Sequence, residues 1–256
     1  MLKQMKTVRF LAAVFCVCVL MSSCGRKPPN IAIIGGADGP TRIIVSSPKT
    51  TAPKGLNIQR VVNPSDKDQD GLNDTDDILE GARKDAENKP VYKDGYYNGG
   101  YPPDDEGVCT DVLWRAFKNA GYLLKDLVDE DIRNNPDRYP RVEGKPDPNI
   151  DFRRIKNLRS FFDHHAVSLT TEIIPGDEDN LKQWQAGDIV VFDDPHEHIG
   201  ILSDLRNQDG IPLMIHNSGP YTQENDMLLY WRDNLSPIIA HYRFPPEGSS
   251  ENDQKP

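Results

Sequence analysis

The chain has 256 residues, of which 37% are hydrophobic and 27% charged, and its formal net charge is −10 at pH 7. This length fits one domain of ordinary size with appendages, and the apolar fraction is too high for wholesale disorder. The acidic balance argues against a nucleic-acid partner, because phosphate binding needs clustered lysine and arginine.

The first 23 residues have the features of an export signal. Three basic residues precede the apolar run FLAAVFCVCVLM (10–21), which is too short to span a bilayer. Two serines then precede Cys24, and this pattern resembles the lipobox of bacterial lipoproteins, in which Cys24 would be diacylated and become the N-terminus. We therefore expect an extracytoplasmic protein that contacts the membrane through a lipid anchor only. The alternative is a plain signal peptide, released after cleavage.

Cysteine usage singles out one thiol. Of the four cysteines, two lie in the leader and Cys24 would carry the lipid, so Cys109 has no disulfide partner. In an oxidising compartment an unpaired thiol is a liability unless it is buried or used in chemistry. Cys109 is therefore the first candidate for a nucleophile.

The segment after the leader, residues 24–57, is interpreted as a tether. Within it, IAII and RIIVSS predict two short strands around a Gly-Gly-Ala-Asp-Gly-Pro turn. We expect the globular domain over residues 58–245 and a disordered tail over 246–256, because EGSSENDQKP has nothing apolar to bury.

The domain opens on an acidic loop, SDKDQDGLNDTDD (65–77). Its Asp-x-Asp-x-Asp-Gly spacing matches the start of a calcium loop, in which alternating carboxylates converge and glycine permits a sharp turn. The candidate ligands are Asp66, Asp68, Asp70, Asp74 and Asp77. The twelfth position holds Asp rather than the usual longer Glu, and no helix clearly precedes the loop. A structural calcium ion is one interpretation; a solvated linker that caps the next helix is the other.

Helices then precede strands along the chain. Apolar periodicity predicts helices over 76–87, 108–120, 123–134 and 154–165. Short apolar runs predict strands over 188–192, 198–203, 212–216 and 238–244. This segregation predicts the α+β class, with helices packed on an antiparallel sheet.

Cys109 falls in the first turn of the second predicted helix. Free backbone N–H groups and the positive end of the helix dipole favour a thiolate there, so we expect a thiol pKa below the ordinary value of about 8.5. The alternative is a small apolar core residue. Asp111, two residues later, is expected to interact with the helix dipole, or else to bind a cationic part of a substrate.

A thiolate nucleophile needs an imidazole that stabilises it and protonates the leaving group. Among the six histidines, His198 opens a predicted strand from which its side chain can project toward a helix N-terminus. His216 ends the next strand and can lie beside it. We therefore predict His198 as the base and His216 as the residue that orients its ring, with Asn217 as an alternative. Asn217 is also a candidate for substrate binding.

The segments GVCTDVLWRAFKNAGY, PDPNIDFRRIKNLRSFF, GDIVVF, HIGILSD and IHN resemble, in this order, an exported bacterial family catalogued as domain of unknown function 1287. That family is grouped with the NlpC-like and CHAP-type cysteine hydrolases of the papain-like clan. The resemblance implies a papain-like fold and a Cys-His-His triad at Cys109, His198 and His216. It also suggests Tyr97, in a Tyr-Asn-Gly-Gly run, for substrate positioning. NlpC-like enzymes usually have Asp-Cys-Ser-Gly at the nucleophile, whereas this chain has Val-Cys-Thr-Asp.

These observations lead to an extracytoplasmic thiol hydrolase that cleaves an amide bond and requires no cofactor for catalysis. A peptide or cell-wall fragment is the expected substrate, inferred from clan and location rather than from a motif. Two alternatives remain open: a non-catalytic ligand-binding lipoprotein on the same fold, stabilised by calcium, and a calcium-dependent surface adhesin. Both alternatives expect Cys109 to be dispensable.

Overall fold

The structure is a computed structural model that describes residues 31–34, 42–45, 53 and 55–246. The predicted leader with Cys24, and the tail from 247 onward, lie outside the described residues. Within the predicted tether, strands β1 (Ile31–Ile34) and β2 (Arg42–Val45) pair antiparallel, as the sequence predicts. Across the described part of the chain, every helix is too short or too polar to cross a bilayer.

The remaining elements begin after residue 55. In chain order they are α1 (Asp74–Asn88), β3 (Val91–Tyr92), β4 (Glu106–Gly107), α2 (Cys109–Asn119), α3 (Leu124–Asn134), α4 (Ile155–His165), β5 (Val167–Ser168), α5 (Glu178–Leu181), β6 (Ile189–Phe192), β7 (His198–Arg206), β8 (Pro212–His216), β9 (Gln223–Asn225), α6 (Leu228–Asn234) and β10 (Ile238–Arg243). All eight elements predicted over this part are present. The α+β class with an antiparallel sheet is therefore confirmed.

One six-stranded sheet organises the domain. Its strand order is β5-β10-β6-β7-β8-β9, and every neighbouring pair is antiparallel. β7 lies near the middle, with Phe192 of β6 opposite His198 and Ile215 of β8 opposite Ile201. The first residue of β7 and the last residue of β8 thus reach the same end of the sheet.

The sheet is covered on both faces, which explains the continuous apolar run in β6. Ile189 and Val191 belong to the core cluster shared with α1, α2 and α4, whereas Val190 and Phe192 belong to a second cluster with Trp231 of α6. All four β6 residues are buried. A strand buried on both faces has no polar alternation.

The structure also contains elements that the sequence analysis did not predict. β3, β4, β5, β9, α5 and α6 have two to seven residues each. Segments of this length complete too few periods for a hydrophobic pattern to stand out.

Helices α1 and α2 pack unusually closely at Gly81. A Cβ at this position would lie 2.6 Å from the Cβ of Asn119 and 2.8 Å from the Cα of Ala116. The missing side chain therefore lets the two backbones approach each other, and it fixes the helix that begins at Cys109 against α1.

Gly81→Ala is expected to lower the free energy of unfolding by about 1–3 kcal/mol, because the new methyl group overpacks the helix contact. Helix propensity alone predicts the opposite sign, a gain of about 1 kcal/mol. Urea denaturation of the variant, with the exposed Lys84→Ala as a control within about 0.5 kcal/mol of wild type, distinguishes the two. A more stable Gly81→Ala protein would contradict the close packing.

Candidate active site

Cys109 is the first residue of α2, and Val108 before it is extended (φ −125°, ψ −175°). The apolar side chain of Val108 makes no capping hydrogen bond. Asp111 performs this role instead, because its Oδ2 accepts the Val108 N–H at 2.8 Å. The first turn of the helix is therefore held by a carboxylate inside it, which is favoured by the helix dipole.

The Asp111 carboxylate is fully buried and saturated with donors. Besides Val108, it accepts the Trp114 indole N–H at 2.8 Å and two N–H groups of Arg153, at 2.7 and 2.8 Å. The Arg153 side chain is itself buried. No carboxylate oxygen is left for a cationic substrate group, so the contacts support the helix-capping interpretation of Asp111 and not the substrate-binding one.

Cys109 is half-buried as a residue, and its thiol accepts a hydrogen bond from the backbone N–H of Ile199, near the start of β7. Burial raises the pKa of the thiol to about 12, and the charge of Asp111 raises it further. Hydrogen bonds from the backbone N–H groups of Ile199, Thr110 and Cys109 lower the pKa but do not offset burial. The expected low thiol pKa is therefore wrong for this conformation, and the thiol is protonated at neutral pH.

His198, the neighbour of Ile199 in the chain, begins a buried relay of side chains. Its Nε2 lies 2.7 Å from Nδ1 of His216, and Nε2 of His216 lies 3.0 Å from Oδ1 of Asn225 in β9. All three side chains are buried. The structure thus brings together the two predicted histidines and adds Asn225, which the sequence analysis missed.

The amide oxygen of Asn225, at the end of the relay, determines which ring nitrogens carry protons. Asn225 Oδ1 only accepts, so His216 carries its proton on Nε2 and accepts at Nδ1. His198 must then donate from Nε2, which leaves its Nδ1 with a lone pair. Among the described residues, no hydrogen bond engages this nitrogen. It is therefore the one ring nitrogen of the relay with an unshared lone pair, although no hydrogen bond joins it to Cys109.

Both relay histidines are neutral. Burial lowers the pKa of His216 to about 4, and the hydrogen bond to Asn225 opposes this only in part. Burial is the main cause that holds the pKa of His198 well below its ordinary value, and repulsion by His216, were it protonated, lowers that pKa further. The site therefore contains a thiol and a free imidazole rather than an ion pair.

Trp231 and Gly200 support the His198 ring. The Trp231 ring stacks on it with centroids 4.0 Å apart and planes 11° from parallel. Gly200 lies two residues after His198 on the same strand face, and a Cβ there would lie 2.7 Å from Met214 Cγ and 3.3 Å from His216 Cβ. The absent side chain leaves room for His216 to reach His198.

Comparisons with known proteins place this site within a family. The model of a family described as a domain of unknown function (DUF1287) matches residues 79–244. This chain belongs to the DUF1287 family. The Escherichia coli (strain K12) protein described as "Uncharacterized protein YijF" is 39% identical over 175 residues, which cover 65% of this chain and 80% of that protein. No solved structure matches.

The DUF1287 match includes Cys109, His198, His216 and Asn225, and the family predicted from the sequence is confirmed. The acidic loop precedes the matched range. The family description assigns no activity, so what the site does must be argued from its geometry.

Tyr97 and Asn217 each make contacts that hold the structure around the start of α2. The Tyr97 hydroxyl donates to Glu106 at 2.9 Å, and the Arg153 guanidinium lies 5.1 Å from the centre of its ring. Tyr97 thus packs on the Asp111 network. Asn217 is fully buried, donates to the carbonyls of Pro90 and Gly107, and holds the chain that enters α2.

Tyr92, not Tyr97, is the tyrosine whose hydroxyl pKa depends on the charge of Cys109. Burial raises the pKa of its hydroxyl, and the charge of the Cys109 thiolate is the second cause. The hydroxyl therefore lies within electrostatic reach of the sulfur and keeps its proton across the physiological pH range. The sequence offered no signal for this, because Tyr92 belongs to a two-residue strand.

The five candidate calcium ligands are only partly brought together. Carboxylate oxygens of Asp66, Asp68 and Asp70 lie within 4.8 Å of one another. Asp74 turns away instead: it accepts the Lys67 N–H at 2.7 Å and the Tyr122 hydroxyl at 2.6 Å. Its predicted role as a ligand is therefore not supported.

The raised pKa of Cys109 predicts slow alkylation at neutral and mildly alkaline pH. A higher pKa means less thiolate, so at pH 8.5 the Cys109 rate with iodoacetamide is expected to be at least about tenfold below that of glutathione, and to rise into the alkaline range. Peptide mass spectrometry at Cys109 measures the rate separately from the other cysteines. An apparent pKa below about 7 that returns upward in His198→Ala would instead show a thiolate–imidazolium pair.

Breaking the Asp111–Arg153 pair is expected to be costly. Arg153→Met leaves a buried carboxylate without its charged partner, and we expect a loss of about 3–5 kcal/mol in the free energy of unfolding. Arg159→Met removes a half-exposed guanidinium 4.0 Å from Asp163 and is expected to cost less than about 1 kcal/mol. Equal stabilities of the two variants would contradict a structural role for Arg153.

Proposed function

We propose that this DUF1287 protein is a thiol hydrolase that cleaves an amide bond, with Cys109 as nucleophile and His198 as base. The proposal rests on the His198–His216–Asn225 relay. Within this relay, Nδ1 of His198 is the basic nitrogen that keeps its lone pair. His198 also directly precedes Ile199, whose backbone N–H donates to the Cys109 sulfur. An oriented imidazole beside a helix-terminal thiol is the arrangement that nucleophilic catalysis needs.

The proposed reaction begins with a neutral pair. Cys109 Sγ attacks the carbonyl carbon while its proton passes to Nδ1 of His198, which approaches the sulfur when substrate binds. The C–N bond then breaks, the amine leaves with that proton, and an acyl-thioester remains. Water attacks the thioester, His198 takes the water proton, and the carboxylic acid and free thiol are released.

The oxyanion would be stabilised by hydrogen-bond donors that already surround the sulfur. The backbone N–H groups of Cys109 and Thr110 face Sγ at the positive end of α2, where a developing negative charge is favoured. The protonated Tyr92 hydroxyl is a further candidate donor for the substrate carbonyl, because its pKa is raised by burial. Trp231 holds the plane of the His198 ring during proton transfer.

The finer parts of this proposal rest on resemblance and on the leader. We propose a papain-like, NlpC-like fold, export as a lipoprotein acylated at Cys24, and a peptide or cell-wall fragment as substrate. The α+β architecture with a nucleophile at a helix start and histidines on two adjacent antiparallel strands supports the first point. The apolar run that ends before Cys24 supports the second.

The proposal predicts that Cys109→Ala and His198→Ala each abolish amide cleavage in a panel of cell-wall stem peptides followed by mass spectrometry. Asn225→Ala is expected to reduce kcat at least about tenfold, because the His216 tautomer is no longer assigned. The exposed His164→Ala serves as the matched control and should keep wild-type kcat. Full activity in Cys109→Ala would refute the hydrolase.

A non-catalytic ligand-binding function is the second candidate. The thiol of Cys109 is protonated at neutral pH and the pKa of His198 is low, so neither group carries a charge in this conformation. Both observations favour ligand binding without catalysis. It predicts that Cys109→Ala binds the same peptides with unchanged affinity and that wild type does not turn them over. Calorimetry of peptide binding to both proteins separates this candidate from the hydrolase.

A further inference from the structure

The acidic loop (65–77) gathers the carboxylates of three aspartates at its centre. Oxygens from Asp66, Asp68 and Asp70 lie within 4.8 Å of one another, and the Asp66 carboxylate is held by the N–H groups of Asp70 and Gly71, at 3.2 and 3.0 Å. The backbone of the loop thus holds the carboxylates together although their charges repel.

Asp77 supplies an independent observation that points to a ligand. Its side chain is 2% exposed, yet Oδ2 has no hydrogen-bond partner among the described residues. Asp77 is the twelfth residue counted from Asp66, and this is the position from which a calcium loop supplies its closing carboxylate. A buried unpaired oxygen in this position is costly unless something binds it.

We propose that Asp66, Asp68, Asp70 and Asp77 form a calcium-binding site. The first three supply one oxygen each from the loop, and Asp77 closes the site from the first turn of α1. The main-chain carbonyl at the seventh position of such loops belongs here to Leu72. Clustered carboxylates in a flexible loop suit Ca²⁺, whereas Mg²⁺ demands a tighter octahedron and most transition metals prefer nitrogen or sulfur ligands.

The site connects α1 with α2, the helix that begins at Cys109. Asp68 packs on the end of α2, since its Cβ lies 3.0 Å from where a Cβ of Gly121 would be. Asp74 of α1 accepts the buried Tyr122 hydroxyl just beyond α2. Bound calcium would therefore fasten the start of α1 to the end of α2. This inference is independent of the proposed hydrolysis.

The experiment is calorimetric and thermal titration of the chelator-treated full chain with CaCl₂. We expect one Ca²⁺ per chain and a Kd of about 10⁻⁴–10⁻³ M, as for other extracellular modules. At about 10 mM Ca²⁺ and a Kd of about 1 mM, the Tm should rise by about 3–6 °C. An equal concentration of MgCl₂ should give less than half of this shift.

Variants assign the ligands. Asp77→Asn should melt no lower than wild type without calcium, because the amide removes a buried charge that faces other carboxylates, but its calcium-dependent shift should be lost. Asp68→Asn, at an exposed position, should also lose the shift and guards against misfolding of the first variant. Asp179→Asn, with a side chain 94% exposed elsewhere, should respond as wild type does. No calorimetric binding, equal shifts with Mg²⁺, or a full shift in both loop variants would overturn the proposal.

Discussion

The position of Cys109 depends on the buried carboxylate of Asp111. This group ties the first turn of α2 to Arg153 in the 3₁₀ segment Asp151–Arg153, and Arg153 in turn donates to the Gly95 carbonyl at 2.7 Å. The loop that passes over the helix start and the helix itself are thus held by one ion pair. A buried pair offsets its desolvation only when the remaining donors and acceptors are satisfied. Here four donors satisfy the carboxylate, so the network specifies a single geometry.

A second constraint comes from the sheet. Because both faces are covered, histidines on β7 and β8 are desolvated, and burial disfavours their charged forms. Burial therefore makes His198 a weaker base. The same packing fixes the orientation of both rings, because each ring is held by the next acceptor and the series ends at an amide oxygen that cannot donate. An open surface histidine would be a stronger base but would have no defined tautomer.

The sequence predicted what periodicity and position can encode. The helices and strands long enough to repeat their pattern were recovered, as were His198 and His216 as neighbours. Asn225 and Trp231 were missed because they lie in a three-residue strand and a seven-residue helix. Asn225 meets His216, and Trp231 meets His198, only through tertiary packing. The sequence leaves two alternatives for the role of Asp111 for a similar reason, because its deciding partner, Arg153, lies 42 residues later.

The position of Cys109 at a helix start predicts the wrong direction for the thiol pKa, because that position says nothing of the residues that bury the sulfur. The N–H groups do lower the pKa, but burial against the sheet outweighs them. This balance has a consequence for the proposed reaction. When sulfur bonds to carbon, the N–H groups of Cys109 and Thr110 no longer serve a thiol and can bind the oxyanion, whose charge is more concentrated than that of sulfur. These N–H groups bind the neutral thiol of the ground state only weakly, and they bind the oxyanion of the transition state more strongly. An interaction that is stronger in the transition state than in the ground state lowers the barrier.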